Sequence, residues 1–215
     1  MKKYHKINSI FKRDMTNNGK FILGEYSCPE FKYLKDNEWV FTEKIDGTNI
    51  RVMFDGETIK FGGKSDNAQI QVALYDKLNE IFKDSLSIFK ETFINSTDND
   101  TEVCLYGEGY GAKIQKAGGN YINDGVDFIL FDIKIGQSWL SREDVEDIAN
   151  KLNLRVVKTV GTGTLNDCIE LVTTGFNSEF GDFIAEGIVA RPTAEMLNRR
   201  HQRIIAKIKH IDFLK

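Results

Sequence analysis

The sequence predicts an α+β fold of largely antiparallel sheets flanked by helices. Three observations lead there. Strand-type and helix-type segments are interspersed, without the regular alternation of a parallel βαβ fold. Short hairpin-like turns join several of the strands. The composition is that of a globular chain with one sizeable core: 215 residues, 41% hydrophobic, 28% charged, net charge −3. A disordered or collagen-like chain is excluded. No apolar run approaches about 18 residues, so no membrane helix is expected. The basic start, Met1 to Lys6, lacks the apolar stretch of a signal peptide. Cys28, Cys104 and Cys168 are few, odd in number and far apart. They fit neither a disulfide framework nor a zinc knuckle, and a cytoplasmic location is expected.

The elements follow in order. Residues 1–37 mix charged and aromatic side chains and resist assignment. Trp39 to Glu43 reads as a strand, as does Ile50–Phe54; between them lies Lys44-Ile45-Asp46-Gly47-Thr48-Asn49. Asp55-Gly56 is a hairpin turn before a strand at Thr58–Phe61. Apolar residues at helical spacing predict a helix from Asn67 to Phe82 and a second over Ser85–Phe93. Asn95–Asp100 is a polar loop. Val103–Tyr106 is a strand entering a glycine-rich loop, Gly107 to Gly111. Phe128–Ile133 has the apolar character of a buried strand. Ser141 and Asp144 mark a helix start with a core face at Val145, Ile148, Ala149 and Leu152. Arg155–Val160 is a strand, Leu165–Val172 a short helix, and Ile184–Arg191 and Arg203–Ile211 the last strands.

Four segments carry possible chemistry. Lys44 stands beside Asp46-Gly47, where glycine permits a tight turn and the amine can enter a cleft. The plain alternative is an exposed turn lysine. In Gly107-Glu108-Gly109 a carboxylate sits between residues that let a ligand approach the backbone; a solvated turn is the alternative. Glu186-Gly187 places a carboxylate at the mouth of a strand, for a metal or simply at an edge. In Arg203 to Lys209, Ile204, Ala206 and Ile208 would face the core, with Lys207 and Lys209 together on the other face. Two neighbouring ammonium groups suit a phosphate. From Arg191 onward seven basic residues face only Glu195 and Asp212, a local charge of +5 in a chain of −3. No zinc-spaced His/Cys cluster, phosphate loop or G-x-S-x-G elbow occurs.

The order is more specific than any one segment: K-x-D-G, G-E-G-x-G, F-D-I, E-G-I-V, K-I-K. It resembles motifs I, III, IIIa, IV and V of the covalent nucleotidyltransferases, the superfamily of polynucleotide ligases and mRNA capping enzymes. Glu43 to Asn49, and Tyr106-Gly107-Glu108 continuing through Lys113-Ile114-Gln115-Lys116, are similar to the RNA ligase 2-like group of phage and RNA-editing ligases. The likeness covers Phe41 to Lys209. It implies a nucleotidyltransferase (ATP-grasp-like) core with a nucleotide cleft between its sheets. It implies ATP as cofactor, AMP carried covalently on Lys44, and Mg²⁺ or Mn²⁺. Lys44, Glu186, Lys207 and Lys209 would be catalytic. Glu43 would read the adenine edge, with Ile45 beside it, and Phe128 would stack on the base. Glu108 would hold the ribose hydroxyls and, with Glu186, serve the metal. Asn49 and Gln115 would meet the nucleic acid, Asn49 also helping to position the nucleotide. Lys64 falls where the family carries a ribose-contacting arginine.

The partner implied is a nucleic acid with 5′-phosphate and 3′-hydroxyl ends, RNA in a nicked duplex, with an end-processing or accessory nucleic-acid-binding protein as a further partner and no membrane. Asp46 stands where RNA ligases of this group often have histidine. The spacing from Asp46-Gly47 to Arg51 is closer to a DNA ligase, so a minimal DNA ligase is the alternative, with a nucleotide-binding module lacking turnover as another. Residues 1–215 are expected to form a single adenylyltransferase domain with no C-terminal OB-fold or other accessory domain.

Overall fold

The computed structural model describes residues 3–93 and 102–214, so the loop expected at Asn95–Asp100 and the terminal Lys215 lie outside the described residues. The described chain runs β1 (Asn8–Ser9), β2 (Phe11–Asp14), β3 (Lys20–Tyr26), α1 (Pro29–Tyr33), β4 (Trp39–Glu43), β5 (Thr48–Phe54), β6 (Ile59–Gly62), α2 (Val72–Phe82), α3 (Leu86–Phe93), β7 (Val103–Gly111), α4 (Gly118–Tyr121), β8 (Val126–Ile135), β9 (Ser138–Trp139), α5 (Arg142–Lys151), β10 (Thr159–Gly163), α6 (Leu165–Thr174), β11 (Gly187–Pro192), β12 (Ala206–Lys209) and a closing 3-10 helix, His210–Phe213. The α+β expectation holds. The chain divides into two compact units: Met1–Tyr4 with Asp46–Val157, and His5–Ile45 with Lys158–Lys215. No helix among the described residues is long and apolar enough to cross a membrane.

The unit containing Lys44 is built on a sheet of order β1-β12-β11-β4-β10. Only the β1–β12 pair is parallel. One face carries Trp39, Phe41, Ile188, Ala190, Ala206 and Ile208, which pack with Leu165, Cys168 and Val172 of α6. A Thr164–Asp167 capping box starts α6. The alternation expected for Ala206–Lys209 is present: Ala206 and Ile208 are buried, Lys207 and Lys209 half-buried on the opposite face. The last two strands are shorter than expected. Arg203 is held by Glu195 in a loop, and the chain coils into the 3-10 helix at His210. Of the strand expected at Arg155–Val160, only Thr159 and Val160 lie in one. Val156 bridges only Leu130, and the sheet strand begins at Thr159, because the chain leaves one unit at Val157 and enters the other at Lys158. Within the unassigned N-terminal region, β2 and β3 form a hairpin turned at Asn18-Gly19, both with positive φ (50° and 71°). Asn-Gly is itself a hairpin signal.

The other unit is an antiparallel sheet of order β6-β5-β7-β8-β9. Leu74, Leu78 and Phe82 of α2, Phe89 and Phe93 of α3, and Val145, Ile148 and Ala149 of α5 pack with Ile50, Val52, Leu105, Phe128 and Leu130. The expected hairpin forms: Asp55 Oδ1 accepts the N–H groups of Glu57 and Thr58, and Gly56 takes φ 94°. The Lys60 ammonium on the other oxygen, and then these bonds, hold the Asp55 carboxyl well below the usual carboxylate range. Helix α2 starts at Val72, five residues later than expected. The predicted Ser141 cap is present, its side chain accepting the Asp144 N–H.

The glycine-rich loop is the main correction. Gly107 to Gly111 is not a loop but the second half of β7, a continuous nine-residue strand. The glycines serve close packing. A Cβ on Gly107 would lie 2.2 Å from the Phe128 ring, and one on Gly109 2.4 Å from Leu74. Both point to the helical core, which leaves Glu108 on the opposite face. Gly107→Ala is therefore expected to overpack the core and cost about 1–3 kcal/mol. Gly119→Ala, where an added Cβ meets nothing within 4 Å, should be close to neutral. Thermal unfolding of the two variants against the parent checks this.

Candidate active site

In the unit carrying Lys44, a carboxylate joins two lysines. The Lys44 N–H donates to Gly187 O at 2.9 Å, so pairing between β4 and β11 continues past the strand end. Lys44 Nζ donates to Glu186 Oε2 and Lys209 Nζ to Glu186 Oε1, both at 2.5 Å. The Glu186 side chain is 13% exposed, Lys44 21% and Lys209 32%. Glu186 is anchored by its own backbone, whose carbonyl accepts the His210 N–H at 2.9 Å. Gly187, opposite Lys209 in the register, has φ 150°; a Cβ there would lie 2.0 Å from Ile208 O. Only glycine lets β11 start this close to β12. Lys207 lies two residues before Lys209 on the same face, about 7 Å along the strand. Three of the four predicted catalytic residues thus meet directly, and the fourth is their strand neighbour.

In the other unit, the chain after Lys44 is pressed onto β7. A Cβ on Gly47 would lie 2.3 Å from Gly109 O and 2.7 Å from Glu108 Cγ. Gly47 is thus required for close approach rather than for a tight turn, since its φ is not positive. Gln115 Nε2 donates to Gly47 O at 3.1 Å, and Tyr121 Oη accepts the Asp46 N–H at 3.0 Å. Asn49 and Glu108 are cross-strand partners, so their side chains share one face. The buried Asn49 Oδ1 has no hydrogen-bond partner among the described residues. A buried amide oxygen left this way is costly unless a water or a ligand donates to it. Arg51, noted for its spacing from Gly47, is structural: its buried guanidinium donates to Gly63 O and Asp66 Oδ1, both at 2.8 Å. That arginine holds the Asp66 carboxyl below its ordinary range.

A family profile described as RNA ligase matches residues 37–209. The chain belongs to the RNA ligase family. Its fold is similar to solved structures of Naegleria gruberi RNA ligase. An apo mutant of that ligase gives a TM-score of 0.64 at 17% identity, over 98% of this chain and 58% of the other. A mutant with ATP and Mn gives 0.62 at 17%, over 96% and 57%. A second mutant with ATP and Mn gives 0.63 at 15%, over 99% and 64%. At such identities the likeness concerns the fold. This RNA ligase family member spans about three fifths of the length of those ligases. The comparison with curated proteins found no match.

Two expected nucleotide contacts in this RNA ligase family member are placed otherwise. Glu43 is 2% exposed, and both its oxygens are taken: Oε1 accepts the Ser178 hydroxyl at 2.5 Å and Oε2 the Glu179 N–H at 3.0 Å. It fastens the segment around Ser178 rather than offering an edge to a base. Phe128 is 2% exposed in the helical core, on the face of the sheet opposite Glu108, with Phe82 against it at 5.9 Å. Phe131, in the same motif, is half-buried at the bulge where β8 slips register against Tyr106 and Gly107. Its ring meets Tyr4, which also packs on Tyr106, a residue on the Glu108 face. Ile45 is buried, and its carbonyl lies 3.5 Å from Lys44 Nζ. Lys64 is exposed in the turn after β6. Ser178, Tyr121 and Phe131 escaped the sequence reading. The first two act on residues 135 and 75 positions away and leave no local signal. Phe131 had one: it is the phenylalanine of F-D-I itself.

Glu43→Ala is expected to lower stability by about 1–3 kcal/mol, because the Ser178 hydroxyl and Glu179 N–H lose a buried acceptor. A residue that met only nucleotide would leave the unfolding temperature unchanged, so calorimetry of the ligand-free protein separates the two roles.

Proposed function

We propose that the chain is an ATP-dependent RNA ligase that joins 5′-phosphate and 3′-hydroxyl ends through a covalent lysyl-AMP and an adenylylated 5′ end, acting on nicked RNA duplexes in the cytoplasm. The reading rests on one observation: Glu186 holds the amines of Lys44 and Lys209 on its two oxygens. The family membership supports the reaction class, and this arrangement supports the roles given to the residues below.

Lys44 Nζ attacks the α-phosphorus of ATP, and the bond to the β-phosphate oxygen breaks, releasing pyrophosphate. The amine must shed a proton to do so, and Glu186 Oε2 is the acceptor already bonded to it. Lys207 and Lys209 neutralise phosphate charge as it shifts toward the leaving group. A 5′-phosphate oxygen of the nucleic acid then attacks the adenylyl phosphorus and returns the amine. Last, the 3′-hydroxyl oxygen attacks the 5′-phosphorus and AMP leaves. Glu108 would take the ribose hydroxyls, Lys64 assisting from its exposed turn. The Asn49 amide would find its missing partner in the nucleotide or the 5′ end. Gln115 would act on the nucleic-acid strand while bracing Gly47, and Phe131 rather than Phe128 would offer a ring to the base.

The residues fit a divalent metal that draws most of its ligands from substrate. No group of three or more His, Cys, Asp or Glu side chains gathers among the described residues. Glu186 would have to release one of its two lysines to give the metal an oxygen, and Glu108, in the other unit, would be a further carboxylate donor; Mg²⁺ commonly takes one or two carboxylates plus phosphate oxygens and water. When bound, the metal would offset charge on the phosphates.

The test is incubation with radiolabelled ATP and Mg²⁺, followed by a denaturing gel and by sealing of nicked duplexes. Acid-labile label on the parent, absent in Lys44→Ala and reduced at least about 100-fold in Glu186→Ala, is expected. No label on the parent with ATP sinks the reading. Sealing of all-DNA nicks alone would make the chain a DNA ligase.

A further inference from the structure

Two of the basic residues after Arg191, Arg199 and Arg200, stand next to each other at the tip of one turn. Both acids of the same stretch are already engaged. Asp212 Oδ2 accepts Arg13 Nη2 of β2 at 2.7 Å. Glu195 takes the buried Arg203 in a two-pronged pair, Nε to Oε1 at 2.5 Å and Nη2 to Oε2 at 3.0 Å. That pair also shapes the segment joining β11 to β12. Ile204 N–H donates to Met196 O, and Leu197 bridges Arg203 in antiparallel register, making a small hairpin. Asn198 builds its tip: its Oδ1 accepts the N–H groups of Arg200 and Gln202, and its own N–H donates to Gln202 O. His201 closes the turn with φ 56°. Among the described residues, the tip is held through its backbone and through Asn198, Glu195 and Arg203. Arg199 and Arg200 are exposed, and their guanidinium groups pair with no carboxylate among the described residues. The hairpin runs directly into the strand that carries Lys207 and Lys209.

We propose that the Arg199–Arg200 hairpin is a binding site for the phosphodiester backbone of the RNA substrate. A rigid tip presents two guanidinium groups without loop-ordering cost, and guanidinium matches phosphate oxygens in a forked geometry. Such contacts position the polymer and carry no sequence preference. The inference rests on the ligase reading for its choice of polymer. The same groups could instead serve the triphosphate of ATP, and the experiment separates the two.

The double variant Arg199→Gln/Arg200→Gln is compared with the parent for binding of a nicked RNA duplex across salt concentrations, and for transfer of label from ATP to Lys44. Losing two phosphate contacts should flatten the slope of log affinity against log salt by about 1–2. The parent's advantage should then shrink about tenfold between 50 and 200 mM salt. ATP-dependent labelling should keep its rate and its half-saturating ATP concentration, with unfolding temperature unchanged. An unchanged salt slope overturns the proposal. So does an equal loss of RNA affinity in Lys20→Gln/Lys32→Gln, which removes the same charge from β3 and α1. A raised ATP requirement overturns it in favour of a triphosphate site. If the parent takes no label yet its RNA binding shows the expected slope change, the ligase reading fails and the backbone site stands.

Discussion

Glu186 is the point on which the rest of the candidate chemistry depends. Two ammonium groups this near each other would repel unless an anion lay between them. In the ligand-free protein the Glu186 carboxylate is that anion, one oxygen to each lysine. Three separate backbone decisions bring it there. Lys44 continues the pairing of β4 onto Gly187, His210 takes the Glu186 carbonyl, and Gly187 lets β11 and β12 close to a distance no side chain would permit. The carboxylate is thereby held near the amine that would lose a proton and the ammonium that would meet phosphate. Pre-positioning of this kind is how phosphoryl transfer is accelerated when the protein has little covalent chemistry of its own to add.

A second constraint recurs in the other unit. Gly47, Gly107 and Gly109 each stand where a methyl group would strike backbone or core atoms within 2.4 Å. They are steric requirements, and together they set the segment after Lys44 directly on the strand that carries Glu108. The motif glycines read most naturally as flexible turns. They are the opposite: places where strands are packed as tightly as backbone allows. The rigidity matters because Asn49 and Glu108 owe their common face to strand register, which a loop would not fix.

Much of this protein was legible in one dimension. Strand alternation placed Lys207 and Lys209 on the face away from Ile208, the Asp55-Gly56 turn and the Ser141 cap formed as their residues required, and the spacing of the motifs located Lys44, Glu108 and Glu186. These are local properties, fixed by side-chain period and by hydrogen bonds a few residues long. The misreadings have a common cause. Glycine content made β7 look like a loop, because nothing local reports that a phenylalanine ring from β8 fills the space a side chain would need. The valines of Arg155–Val160 made the whole segment resemble one strand, because the passage between units is not marked in composition.

Function divides along the same line. Residue order alone carried the family resemblance: a lysine before Asp-Gly, two carboxylates beside glycine and a paired-lysine strand in a fixed sequence. Which side chains meet, and which are buried away from the others, came from the packing of the folded chain. It gave Glu43 to Ser178 and Glu179, put Phe128 in the core and left Phe131 half-buried, and set two arginines of the basic C-terminal stretch on a braced hairpin. Those assignments depend on partners far apart in the chain and on which face of a strand each side chain takes. Residue order constrains both only through the packing of the finished fold.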